Sequence, residues 1–315
     1  TPDAVEGCPL PGVRKSEPPR SKLARLWHTR FGKHAMSLDT LRQIASMKAR
    51  CGAAPAWLRK SVGDFRPEAV LTAGIAGAWI HAAGLGAHLS IPLHMIVHDD
   101  GHYAYFWLPV LQPYGERLFG RAYRQSVSRL CISAPMEREY ERRFGVKGEV
   151  LLPSRGRDSV FFRDPPPRVA APLEKAKIFY AGSVYGQGFA VLDEIAVALR
   201  TKGHRLVVYS PSTPSTLRPR ALEIREPLPS GELVRRLHEE ADVLLLLTSF
   251  APENRKVVAT LFPSKMVDYT ASAVPVLVAA PEYACVVDSL RGRPHAGRLV
   301  TSDRGADVLA AVEEL

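Results

Sequence analysis

Lys265 and Asp268 stand three residues apart, directly behind Pro263 and Ser264. Pro and Ser are residues that start helices, so Lys265 is expected in the first turn of one. Free N–H groups and the helix dipole favour a phosphate there, and the lysine adds a full positive charge. The competing reading is an exposed helix lysine. Asp268 falls on roughly the same helix face. A carboxylate so placed can accept both hydroxyls of a ribose, or it can be a surface aspartate favoured by the dipole. Gly182 and Ser183 form a second pair: glycine lets the backbone approach a phosphate, and serine can donate to it. A tight turn without a ligand explains them equally well. His98, Asp99 and Asp100 make a third group, with His102 close behind. A lone histidine is usually structural, whereas a His-Asp-Asp run at the carboxyl end of a strand is a better candidate for a site, and with His102 it could suggest a metal. Glu253, Asn254, Arg255 and Lys256 read as a charged, solvated loop, from which Arg255 or Lys256 could reach a second phosphate.

Alternating apolar strands and helices must position these residues. Strands are expected at 69–73, 93–97, 129–133 and 149–152, with helices at 77–88, 114–127 and 135–144. In the second half strands fall at 177–181, 205–210, 221–225, 243–248, 276–279 and 298–301. Helices there fall at 189–201, 231–240, 264–273, 283–290 and 306–315, with Gly203 closing the first of them. Such alternation predicts parallel sheets covered on both faces. The fold class is therefore α/β with two Rossmann-like domains, the first without an obvious opening strand and so expected to be incomplete, assigned to 1–160 and 177–315. The proline-rich stretch 153–176 is the expected linker. Ligands of doubly wound sheets bind at the carboxyl ends of the strands. That rule singles out the turn 182–188, the segment 248–265 and the run His98–Asp100.

The chain has 315 residues and a net charge of +10. Residues 1–60 hold twelve Lys/Arg against four acids, a net +8. A basic surface attracts phosphates on nucleic acid, anionic lipid or a nucleotide. No RNA-binding aromatic signature or zinc spacing accompanies it, which disfavours nucleic acid. Residues 1–22 read as loop and 38–50 as a helix. The four cysteines form no CxxC pair, which argues against a metal cluster or disulfide framework and fits a reducing compartment. The apolar stretch 69–97 carries three histidines and Pro92, so it reads as strand–helix–strand rather than a membrane span. The chain opens on Thr1, so an upstream segment is compatible with it.

Residues 261–277, Leu-Phe-Pro-Ser-Lys-Met-Val-Asp-Tyr-Thr-Ala-Ser-Ala-Val-Pro-Val-Leu, resemble the donor-binding helix of family 4 retaining glycosyltransferases. The Ala241-Asp242-Val243 strand start running to Ser249, the Tyr180-Ala181-Gly182-Ser183 turn and Val97-His98-Asp99 are similar to other parts of that family. The resemblance covers most of 66–315. It implies a GT-B fold, two domains facing across a cleft, and transfer from a nucleotide sugar with retention. It implies a carbohydrate or lipid-linked acceptor, a role in polysaccharide biosynthesis, and neither cofactor nor metal. Donor binding is implied for Gly182, Ser183, Ser249, Thr260, Ser264, Lys265 and Asp268, and a catalytic role for His98 and Asp99. A cytoplasmic enzyme is expected, with the basic N-terminal region against an anionic membrane. The pattern also departs from the family: Thr260 stands where the first of two glutamates is usual, Asp268 where the second is, and Ala273 where glycine is common. The basic residue usual after the first turn is missing. These departures keep two alternatives open, a non-catalytic nucleotide- or polyanion-binding remnant and a sugar-nucleotide epimerase.

Overall fold

The computed structural model describes residues 56–75, 78–99, 112–167, 175–184, 188–211, 219–291 and 297–315. The helix expected at 38–50 and most of the basic N-terminal stretch lie outside them; Arg59 and Lys60, on the first described helix, are exposed. The chain divides into two compact units, 1–132 with 137–150, and 133–136 with 151–315.

The first unit carries four parallel strands, β1 Val70–Ala73, β2 Leu93–Val97, β3 Ser128–Cys131 and β4 Glu149–Val150, in that spatial order. Its helices are α1 Ala56–Val62, α2 Ala78–Leu89, α3 Gln112–Gln125 and α4 Ala134–Phe144. Phe119 and Tyr123 on α3 are four residues apart, as are Tyr140 and Phe144 on α4, so each pair shares one helix face. The four rings interlock, with Tyr123 to Phe144 at 5.3 Å and Phe119 to Tyr140 at 5.9 Å. Gly120 permits this approach: a Cβ there would meet the Phe144 ring at 2.6 Å.

The second unit is a six-stranded parallel sheet. Its strands are β5 Lys177–Ala181, β6 Arg205–Tyr209, β7 Glu223–Arg225, β8 Val243–Leu247, β9 Val276–Ala279 and β10 Gly297–Val300. The spatial order is β10-β9-β8-β5-β6-β7. Chain order therefore runs outward from β5 in one direction, then resumes on its other side at β8. Val243, Leu244, Leu245 and Leu246 are wholly buried, as a central strand covered on both faces requires. Side chains alternate between two layers: Ile178, Tyr180 and Val208 on one face, Phe179, Ala181 and Val207 on the other. The helices are α5 Gly188–Arg200, α6 Ser230–Glu240, α7 Arg255–Thr260, α8 Met266–Ala271, α9 Cys285–Arg291 and α10 Gly305–Glu313.

Most expected elements are present with ends shifted by a few residues. Two differ in kind. The expected charged loop at 253–256 is instead a 3-10 turn, Pro252–Asn254, running into α7. Ser249 Oγ accepts the Ala251 N–H at 3.2 Å and the Asn254 side-chain amide at 2.9 Å, which folds this segment back on itself. The helix expected over 264–273 is only Met266–Ala271. Residues 263–265 form a turn before it, and Ala273, at φ 55, ends it in the left-handed region. Glycine fits that position after a helix without a Cβ penalty. Ala273→Gly should accordingly stabilise the protein by about 1 kcal/mol, read as a higher denaturant midpoint with unchanged slope; no gain would show that the turn is unstrained. Among the described residues no helix is long and apolar enough to cross a membrane.

Candidate functional site

The reversal of strand order between β5 and β8 is the place where a doubly wound sheet opens a crevice at its carboxyl ends. Gly182 follows β5 directly. Its N–H donates to the Tyr209 carbonyl at 2.9 Å, and its φ is +127, a backbone conformation that side chains rarely adopt. The Lys265 side chain lies over it: a Cβ on Gly182 would meet Lys265 Cε at 3.2 Å and Nζ at 3.4 Å. Two residues more than eighty positions apart in sequence are thus brought together.

The Lys265 amine donates to the Tyr180 hydroxyl and sits 3.9 Å from the centroid of the same ring. Tyr180 Oη in turn donates to the Ser183 carbonyl at 3.1 Å. Part of Lys265 stays exposed, but its charged end is enclosed, and this loss of hydration lowers its pKa from the usual 10.5 to about 7. Among the described residues no carboxylate forms an ion pair with it.

Tyr269 explains how α8 reaches this point. Its buried hydroxyl accepts the Ala181 N–H at 2.8 Å and donates to the Leu245 carbonyl at 3.1 Å. One side chain therefore pins the helix to both β5 and β8, and burial raises its own pKa. Tyr180 and Tyr269 stand in the stretches that carry the resemblance, but neither was given a role; a polar tip in an otherwise apolar core position was the available signal.

The expected helix-terminal anion site is corrected in part. The N–H groups of Met266, Val267 and Asp268 already donate to the carbonyls of Pro263, Ser264 and Lys265 at 3.0 to 3.1 Å. The tight turn at 263–265 consumes the donors that a longer helix would leave free. Ser264 is exposed, and no side chain caps α8. Anion attraction here rests on the Lys265 charge.

Asp268 is held on one side by two neighbours. Its Oδ1 accepts from Arg155 Nη1 and, at 2.7 Å, from Ser230 Oγ. Arg155 was hidden in the stretch read as linker, and Ser230 was not singled out. Thr260, on α7, returns its hydroxyl to the Lys256 carbonyl at 3.0 Å. Ser249 is engaged in its own turn, as above. Thr248, the residue after β8, holds a buried hydroxyl oxygen without a hydrogen-bond partner among the described residues. Arg255 stacks on Tyr283, 4.2 Å from the ring centroid.

In the first unit His98 and Asp99 immediately follow β2, and His98 Nε2 lies 3.7 Å from Asp99 Oδ2. His98 is about two-fifths exposed, so the ring is accessible rather than packed as a core histidine. Asp100 and His102 lie outside the described residues. Among the described residues no group of three His, Cys, Asp or Glu side chains could hold a metal ion.

No family model matches this chain, and no curated protein matches it in sequence. Solved structures do match. HepE of Anabaena in complex with UDP-glucose superposes with a TM-score of 0.55 at 14% identity, over 78% of this chain and 68% of that one. The same protein with UDP and glucose gives a TM-score of 0.55 at 13% identity, over 78% and 67%. CalG4, the calicheamicin glycosyltransferase, aligns over 91% of this chain and 72% of its own at 12% identity, with a TM-score of 0.45 that carries no fold assignment. The parallel sheets of both units and the HepE likeness define the fold class as α/β with Rossmann-like domains.

Proposed function

We propose that this chain is a glycosyltransferase that moves a sugar from a nucleotide-sugar donor to a carbohydrate or lipid-linked acceptor, with retention as in family 4. The observation that carries the reading is the Lys265 side chain laid on Gly182 at the strand-order reversal, without a carboxylate partner. A donor diphosphate fits there: the glycine lets backbone and phosphate approach, and the lysine supplies the charge that neutralises the leaving group. Gly182, Ser183, Ser249, Thr260, Ser264, Lys265 and Asp268 are the proposed donor side. The structure of HepE with UDP-glucose supports a sugar nucleotide as the ligand class. The lysine charge is the electrostatic device proposed for an oxocarbenium-like transition state, without a metal or other cofactor. A cytoplasmic site of action, with 1–60 against an anionic membrane, belongs to the same proposal and rests on the +8 charge of that stretch.

The test is release of free nucleoside diphosphate from a panel of donors, with and without acceptors. A second reading, a nucleotide-binding remnant, is favoured by one observation: the Thr260 hydroxyl, at the place of a family glutamate, is turned back onto its own helix. Binding without turnover on every donor and acceptor would select it.

His98 and Asp99 are proposed to serve the transfer step. His98→Ala should lower turnover by about a hundredfold, the lower range for a positioned side chain in catalysis. Nucleoside-diphosphate affinity should change less than about twofold. Calorimetry with the nucleotide alone checks this, and an equal loss of affinity would remove His98 from the transfer step.

A further inference from the structure

We infer that Arg155, together with Ser230, is a positioning residue that presents one oxygen of Asp268 to the ribose of the bound nucleotide; this rests on the donor-site reading above. The geometry at Asp268 is one-sided. Arg155 Nη1 and Ser230 Oγ both converge on Oδ1, and Arg155 Nη1 also donates to Ser230 Oγ at 2.8 Å. Oδ2 accepts no hydrogen bond among the described residues. An arginine built only to neutralise a carboxylate would use its fork on both oxygens. Here one guanidinium nitrogen and one hydroxyl hold a single oxygen and leave the other open.

Two further features set this pair apart from an ordinary ion pair. Arg155 is largely buried, and its Nε has no hydrogen-bond partner among the described residues, an arrangement that costs stability. Residues that break a local rule without a structural gain cluster at functional sites. Ser230 opens α6, where a serine hydroxyl commonly bonds nearby backbone, yet no side chain caps that helix, and the hydroxyl is turned to Asp268.

The segment that carries Arg155 is fastened to the same helix at its other end. The Phe162 N–H donates to the Ala271 carbonyl at 2.8 Å. The Phe162 ring stacks on His238 at 3.7 Å and 4°, and His238 Nδ1 lies 2.8 Å from the Ser272 carbonyl. Residues 155–162 therefore run along α8, tied at Asp268 and at its C-terminus. The open Oδ2 can accept the two vicinal hydroxyls of a ribose, as carboxylates do in dinucleotide folds. Arg155 and Ser230 act through Asp268, without touching the nucleotide themselves.

The experiment compares the best-binding nucleoside diphosphate with its 2′,3′-dideoxy counterpart, and uses inorganic pyrophosphate as a probe that lacks ribose. The parent protein should prefer the ribonucleotide by about tenfold or more, the strength of hydrogen bonds to a charged group. Arg155→Gln and Ser230→Ala should each reduce that ratio below about threefold and leave pyrophosphate affinity within about twofold. Arg155→Lys should keep an intermediate ratio, and it carries the test with Ser230→Ala if Arg155→Gln does not fold. A full ratio in both Arg155→Gln and Ser230→Ala overturns the positioning role and leaves the donor site standing. Equal binding of ribo- and dideoxynucleotide by the parent overturns it too, with the Lys265 diphosphate contact intact. A parent that binds neither nucleotide nor pyrophosphate overturns the donor-site reading and this inference with it.

Discussion

Lys265→Met should weaken nucleoside-diphosphate binding by about 30- to 100-fold and, at the same time, raise the melting temperature. The loss follows from removing the cation opposite the diphosphate, since charge-assisted hydrogen bonds contribute about 2–3 kcal/mol. The gain follows from the same burial that lowers the lysine pKa to about 7. Enclosing an ammonium without a counter-charge is unfavourable, and methionine fills a similar volume without charge. A gain of about 1 kcal/mol would shift the melting temperature by about 2–4 °C. The sign also fixes the pH dependence. Between about pH 7 and the unfolded lysine value of 10.5 the unfolded chain holds one more proton at this site, so stability from Lys265 rises with pH across that window. Below pH 7 both states are protonated and the full cost of the buried charge remains. The difference between parent and Lys265→Met should therefore shrink from pH 7 toward pH 10. Diphosphate binding at pH 8 should take up a proton at Lys265, because the anion favours the charged form. Calorimetry in two buffers of different ionisation enthalpy measures that uptake. An unchanged affinity in Lys265→Met, or no proton uptake at pH 8, would remove the lysine from the pocket.

How far the sequence revealed this site depends on what each residue contributes. The strands were legible because runs such as Val243–Leu247 are apolar on both faces and short, which little but a central parallel strand permits. Gly182 and Lys265 were legible as residue types suited to a phosphate. Their contact was not, because it depends on which strands neighbour each other, and the order reversal between β5 and β8 leaves no local mark. Arg155 was invisible for a related reason. It sits in a proline-rich stretch with no periodicity, and its partner Asp268 lies on an element far along the chain. The helix start at Pro263-Ser264 misled in detail: proline and serine suit a first helical turn, but here they close a turn whose carbonyls take up the helix N–H groups. The 3-10 turn and α7 at 252–260 were missed because charge was taken as the sign of a loop, while Ser249 and Asn254 supplied local hydrogen bonds that fold the segment ahead of the helix.

Gly182→Ala should cost both stability and nucleotide affinity, the opposite pairing of signs from Lys265→Met for stability. Two separate effects add. The backbone at φ +127 is nearly closed to a residue with a Cβ, a strain of about 1–3 kcal/mol. The new methyl would also stand 3.2 Å from Lys265 Cε, closer than ordinary contact, and must push the flexible lysine aside. Displacing the ammonium by that amount should weaken diphosphate binding by about tenfold, since charge-assisted hydrogen bonds need close approach. The double variant Gly182→Ala with Lys265→Met separates the two effects. With the ammonium gone, its displacement no longer costs binding, while the backbone strain and the contact with the flexible side chain stay. Affinity should then be no lower than in Lys265→Met alone, while stability should fall between the two single variants. Contacting residues are where such non-additivity is expected. If the affinity losses instead simply multiply, Gly182 meets the nucleotide by a route of its own, and its pairing with Lys265 is a matter of packing.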